Sequence, residues 1–75
     1  MSKVNKWQSY INKIILWAQT KGYNVNFHPN FEDEMDDSRK IININSRFKL
    51  EIQLYGLLHE CGHLLIRNNK KLNQN

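Results

Sequence analysis

The chain has 75 residues, of which 40% are hydrophobic and 11% aromatic, and its formal net charge is +4. This length allows one small domain, predicted to span residues 1–75, and excludes a second one. The aromatic content argues against a disordered chain. The single cysteine excludes an intrachain disulfide and is typical of a reducing compartment. No secretory or membrane-spanning segment is visible, so we expect a cytoplasmic protein.

The charged residues are unevenly distributed. Five acidic residues fall between Glu32 and Asp37, whereas both ends of the chain are basic. Lysine and arginine do not cluster among aromatic residues, as they do in many nucleic-acid-binding proteins. We therefore interpret most charges as solvated surface, and we expect neither a specific nucleic acid nor a membrane as a partner.

Helical spacing of apolar residues predicts a first helix from Val4 to about Lys21. Ser2 is the predicted N-cap, and Gly22 is the predicted left-handed residue that ends the helix. The apolar stripe of this helix is widened on one side by Tyr10 and Trp17, and so broad an apolar face predicts contact with a partner or with a further segment. The stripe itself consists of Val4, Trp7, Ile11, Ile14, Ile15 and Ala18.

Two short strands are predicted over residues 23–28 and 40–45, because apolar and polar residues alternate there. The loop between them, residues 29–39, begins at Pro29 and carries the acidic residues. We expect the two strands to pair antiparallel across this loop. The side chains expected to face the core are Tyr23, Val25, Phe27, Ile42 and Ile44.

A long helix is predicted from about Arg47 to Arg67, with Ser46 as its N-cap. Apolar residues occur on both sides of it, which predicts a helix buried between two layers. Gly62 inside the helix costs about 1 kcal/mol relative to alanine, and close approach of another backbone would account for it. One side carries Phe48, Ile52, Tyr55 and Ile66, and the other carries Leu50, Leu54, Leu57, Cys61 and Leu64.

Within this helix His59, Glu60 and His63 form an H-E-x-x-H motif. Residues four apart lie on the same face of a helix, so the two imidazoles can converge on one metal ion. Glu60 lies about 100° round the helix, at the edge of that face, where its carboxylate reaches a metal-bound water. The pattern favours Zn²⁺ as Lewis acid and Glu60 as general base. Gly56, one turn earlier, is expected to leave room over the ion.

The same residues also have a purely structural interpretation, as hydrogen-bonded side chains of the core. Two histidines at this spacing, with a glutamate between them in an apolar stretch, are harder to explain that way. A buried carboxylate is costly unless something uses or neutralises it, so we favour the metal site. Cys61, opposite the histidines, is predicted to be a small core residue and neither a ligand nor a nucleophile.

The order of an N-terminal helix, strands and a helix carrying L-H-E-C-G-H-L at residues 58–64 resembles the zincin metallopeptidases. Its HExGH form and the strand K-I-I-N-I-N at residues 40–45 are most similar to the ImmA/IrrE-like family of small cytosolic and phage or mobile-element proteases. The SprT-like proteases are a second match. The resemblance covers most of residues 22–67. It implies hydrolysis of peptide bonds, with His59 and His63 as zinc ligands and Glu60 as base.

Those families take a third protein ligand from beyond the motif helix, but no Asp, Glu or His follows His63. Glu51 lies about 12 Å from His59 along the helix axis and cannot replace it. The remaining candidates are His28 or a carboxylate of the acidic loop folding over the helix. Three explanations stay open: a truncated metallopeptidase, a ligand supplied by another subunit, or a degenerate site.

We therefore expect an α+β fold with an N-terminal helix, a small antiparallel hairpin or sheet and a buried motif helix, as in a minimal or truncated zincin. The expected function is a zinc-dependent metallopeptidase, or the N-terminal part of one, in which the strand at 40–45 aligns an extended peptide by edge pairing. The alternative is a non-catalytic protein-binding module with an incomplete or structural metal site. The expected partners are a peptide or protein substrate and either a second copy or another protein.

Overall fold

The computed structural model describes the backbone of residues 5–73 and the side chains of residues 5–66. Two helices and a three-stranded sheet confirm the predicted α+β class. In chain order the elements are α1 (Lys6–Thr20), β1 (Asn24–His28), β2 (Glu34–Asp36), β3 (Ile41–Asn45) and α2 (Leu50–Asn73).

Helix α1 begins after Asn5, whose side-chain oxygen accepts a hydrogen bond from the backbone N–H of Trp7 at 2.9 Å. This bond satisfies one of the donors that a helix start leaves without a partner. The predicted N-cap, Ser2, lies outside the described residues. The end of the helix is as predicted: Gly22 has φ +86°, a left-handed conformation that glycine adopts without steric penalty.

In the sheet β3 is the central strand, with β1 parallel to it on one side and β2 antiparallel to it on the other. The antiparallel pairing predicted for residues 23–28 and 40–45 is therefore wrong. The segment predicted to be a loop contains β2, so the chain reverses direction twice between β1 and β3. Two reversals leave β1 and β3 pointing the same way.

A turn stabilised by Asp36 makes the second reversal. One carboxylate oxygen of Asp36 accepts the hydroxyl hydrogen of Ser38 at 2.7 Å and the backbone N–H of Arg39 at 3.1 Å. These contacts lower the pKa of the Asp36 carboxyl, chiefly through the Ser38 hydrogen bond. Lys40 then takes a φ of +59° and leads the chain into β3. Since β2 has three residues and one apolar side chain, Met35, alternation in the sequence did not reveal it.

The core joins α1, the sheet and the inner side of α2. Helix α1 packs against α2 and β1, and α2 packs against β3. Ile42 and Ile44 have no exposed surface, and Val25 and Phe27 pack against the core from β1, as the alternation predicted. The buried apolar residues are Ile11, Ala18, Tyr23, Ile42, Ile44, Leu54, Leu57, Cys61 and Leu64.

Helix α2 begins at Leu50, three residues later than predicted, and Ser46 is not its N-cap. The side-chain oxygen of Asn45 accepts the backbone N–H of Arg47 at 2.7 Å, and the Gln53 side chain donates to the carbonyl of Phe48 at 2.6 Å. These bonds hold the connection between β3 and α2 in a non-helical turn. The helix extends to Asn73, beyond the predicted end at Arg67.

The two sides of α2 have different environments, so the prediction of a helix buried between two layers is wrong. Its inner side is buried as predicted, but the side that carries the histidines is exposed, and so is Phe48 just before the helix. We call this exposed apolar surface the outer face of α2. It consists of Ile52, Tyr55, Leu58, Leu65 and Ile66, whose exposed fractions range from 43% to 57%.

The expected close approach of a backbone at Gly62 is also wrong. A Cβ atom placed there would have no described atom within 4 Å. Gly62 is therefore not required by packing inside the described part of this chain.

Candidate metal centre

The two histidines of the motif converge as the four-residue spacing predicts. Their Nε2 atoms are 3.2 Å apart, and the ring planes are inclined at 84°. Two nitrogens at about 2.0–2.1 Å from a tetrahedral zinc ion are about 3.3 Å from each other. The observed separation therefore fits a pair of zinc ligands. It also fits a hydrogen bond between the rings when one Nε2 is protonated and the other is not.

Glu60 has an environment that an ordinary packing residue would not occupy. Its exposed fraction is 7%, and it makes no hydrogen bond or ion pair with any described residue. None of the fully buried polar side-chain atoms in residues 5–66 lacks a partner, so the carboxylate oxygens keep some contact with solvent. Glu60 is therefore a largely buried residue whose carboxylate remains available to a water molecule or an ion.

His59, Glu60 and His63 form one group of possible metal ligands. A ligand atom from each lies within 4.8 Å of the others, with both histidines exposed and the glutamate buried. The exposed histidines leave their side of the group open to solvent. Imidazole nitrogens and carboxylate oxygens are donor types found in zinc sites.

Cys61 is buried, with an exposed fraction of 5%, as predicted for a core residue. Burial, and to a smaller extent the charge of Glu60, raises the pKa of its thiol to about 11. The thiol is therefore protonated at neutral pH, whereas both a metal ligand and a nucleophile require the thiolate.

The room expected over Gly56 is occupied by Asp33, which belongs to the stretch of acidic residues from Glu32 to Asp37, called the acidic segment below. A Cβ atom placed at Gly56 would overlap the Asp33 carboxylate oxygen Oδ2 and would lie 3.0 Å from its carboxyl carbon. The other oxygen, Oδ1, accepts the backbone N–H of Asn45 at 2.8 Å. Sequence reasoning did not single out Asp33 from its acidic neighbours, because no local spacing connects residue 33 with residue 56.

His28, considered from the sequence as a third ligand, is not part of the group formed by His59, Glu60 and His63. Its Nδ1 accepts the backbone N–H of Asn30 at 3.1 Å, and its ring lies 5.0 Å from that of Phe31. These contacts hold the imidazole in the turn that follows β1.

Comparison of the chain with models of known protein families, with curated proteins and with solved structures gives no match. The helices in the described part of the chain are too short or too polar to cross a membrane. The function proposed below therefore depends on the residues of the site alone.

Proposed function

We propose that this protein is a zinc-dependent metallopeptidase, or the N-terminal part of one. The observation that carries the proposal is the convergence of the His59 and His63 Nε2 atoms, 3.2 Å apart, beside Glu60, which makes no hydrogen bond with any described residue. A structural role for the histidines would explain their contact with each other, but it assigns no part to Glu60.

In this proposal His59 and His63 hold the ion through their Nε2 atoms. A zinc ion held there would supply a Lewis acid for the scissile carbonyl and for the attacking water. Glu60 would accept the proton of that water as general base and return it to the departing amine.

The sheet offers a different peptide-binding edge from the one expected from the sequence. The strand at residues 40–45 lies in the centre of the sheet, where β1 and β2 already occupy both of its sides. It cannot accept a peptide by edge pairing. Both β1 and β2 are edge strands, and an extended peptide could pair with the outer edge of either through main-chain hydrogen bonds.

The first prediction concerns metal stoichiometry. Purified protein titrated with Zn²⁺ should saturate at about one ion per chain, because the two histidines form one shared site. Binding through the two imidazoles alone would be weak, since they leave at least two coordination positions to water. The ions bound are counted by elemental analysis after equilibrium dialysis.

The control is the double variant His59→Ala with His63→Ala, which should bind no zinc at this site. His28→Ala should bind as much zinc as the wild type, because His28 lies outside the group. Equal zinc content in the double variant and the wild type would contradict the proposal.

A second function is a protein-binding module without turnover, with the metal absent or acting as a structural support. The exposed outer face of α2 favours it, because large apolar side chains at this exposure are typical of interaction surfaces. The two functions predict different roles for Glu60. A metallopeptidase needs it as a base for activity, whereas a binding module does not.

A further inference from the structure

The acidic segment contains one carboxylate that reaches α2 next to the motif. The other acidic residues with described contacts bind within the sheet and its turns: Glu34 accepts from Asn43, Asp36 from Ser38 and Arg39, and Asp37 from the hydroxyl of Tyr23. Asp33 differs because its carboxylate bridges from the backbone of Asn45 to the surface of α2 at Gly56.

Helix geometry places this carboxylate beside the metal centre. Gly56 precedes His59 by three residues and Glu60 by four, so the Cβ position at Gly56 is about 5–6 Å from the Cβ atoms of both. Asp33 Oδ2 overlaps that position. Side chains on a helix lean toward its N-terminus, so the side chains of His59 and Glu60 lean toward Asp33.

The two histidines leave the metal centre without a third protein ligand, and the Asp33 carboxylate can provide one. Two imidazoles give two protein ligands, whereas catalytic zinc sites use three, and two histidines with one carboxylate is a common set. Glu60 is buried and without a partner among the described residues, as expected for a group that acts on a ligand of the ion. The oxygen Oδ2 of Asp33 likewise makes no hydrogen bond with any described residue.

We propose that Asp33 is the third protein ligand of this metal centre. The inference depends on the proposed function, because it requires His59 and His63 to bind the ion. In the present structure Asp33 lies outside the group whose ligand atoms are within 4.8 Å of one another. Binding therefore includes a turn of the exposed Asp33 side chain from Gly56 toward His59. Gly56 makes this possible, since any larger residue would occupy the space through which the carboxylate approaches.

The experiment compares zinc affinity in matched variants of the full chain, by competition with a chromophoric chelator. Asp33→Asn keeps the shape of the side chain and an oxygen that can accept from Asn45, but it removes the charge. We expect its zinc affinity to fall by about tenfold or more, at least the loss typical of mutations around a metal site. Glu34→Gln removes the same charge from the next residue and should change the affinity less than about twofold.

Two further measurements test the contact itself. Gly56→Ala displaces the Asp33 carboxylate and should therefore lower the zinc affinity, as Asp33→Asn does. Gly62→Ala should leave the zinc affinity unchanged. The visible absorption of the Co²⁺-substituted protein should change in Asp33→Asn, because an oxygen donor is lost from the ion, and should be unchanged in Glu34→Gln. Circular dichroism confirms that each variant is folded.

The outcomes separate this inference from the proposed function. If the wild type binds zinc through its histidines but Asp33→Asn binds equally well, Asp33 is not a ligand and the metal centre stands. If Asp33→Asn and Glu34→Gln weaken binding equally, the effect is one of general charge and the inference is wrong. If the wild type binds no zinc, or if the double histidine variant still binds it, both proposals are overturned.

Discussion

Glu60 lies next to two exposed histidines, yet its own side chain is almost completely buried. A buried carboxylate normally needs a cation or several hydrogen-bond donors. The described residues give Glu60 neither, although its carboxylate oxygens keep some contact with solvent, and its charge contributes to the raised pKa of the Cys61 thiol. At the residue scale, the catalytic and structural interpretations of the motif differ in the role they give this carboxylate, which is the base in the first and has no part in the second.

The second prediction follows from that position. Glu60→Gln keeps the size and polarity of the side chain but removes the base, so zinc binding should persist while peptidase activity falls by about 10²-fold or more. Activity is measured as the initial rate of cleavage of an unfolded protein substrate by zinc-loaded protein. The thermal midpoint of unfolding should not fall, because Glu60 makes no hydrogen bond with a described residue that the substitution would remove.

Glu51→Gln is the matched control for this experiment, since Glu51 lies in the first turn of the same helix and away from the motif. It should retain the wild-type rate. A Glu60→Gln variant that cleaves as fast as the wild type would show that Glu60 is not the base.

At the scale of elements, α2 has two glycines whose surroundings differ. Gly56 faces the Asp33 carboxylate, whereas Gly62 has open space above it. Both residues lie in a helix interior, where glycine is less favourable than alanine by about 0.8–1.0 kcal/mol. The same substitution at the two positions therefore tests whether the contact between the acidic segment and α2 forms.

The third prediction is that Gly62→Ala stabilises the protein by about 0.5–1 kcal/mol, because it adds helix propensity without a clash. Gly56→Ala should gain less stability than Gly62→Ala, or none. The added methyl group must displace the exposed Asp33 carboxylate from its place over the helix, which offsets part of the gain in helix propensity. Urea unfolding followed by circular dichroism gives both free energies of unfolding. Equal stabilisation of the two variants would mean that Asp33 does not hold its position over Gly56.

At the scale of the whole molecule, the described fold has a thin core and a large apolar surface. Nine buried apolar residues form the core, while the outer face of α2 exposes five large apolar side chains beside the histidines. A domain of this size buries a smaller share of its surface than a larger one. An exposed apolar surface next to a candidate site favours a covering partner, either a second copy or another protein.

The fourth prediction is that the protein associates through this outer face. Sedimentation equilibrium of the purified chain should give a mass above that of the monomer, and Tyr55→Lys or Leu58→Lys should shift it toward the monomer. Leu16→Lys is the control, because Leu16 is an exposed leucine of α1 that lies outside the outer face. A monomeric wild type would exclude self-association and leave a different protein as the partner.

The features that could be predicted from the sequence depend on neighbours within about one helical turn or one strand. The convergence of His59 and His63 follows from the helix period, and the burial of Ile42 and Ile44 follows from the strand period. The left-handed end of α1 at Gly22 follows from the absence of a Cβ atom. These predictions are confirmed because each one involves only residues close together in the chain.

Features that depend on residues distant in the chain could not be predicted from the sequence and are seen only in the folded protein. The parallel pairing of β1 with β3 required an intervening strand that three residues with one apolar side chain did not indicate. The contact of Asp33 with Gly56 and the burial of Glu60 without a partner arise from how the acidic segment and the core meet α2. Such contacts are set by the packing of whole elements, and local periodicity carries no information about them.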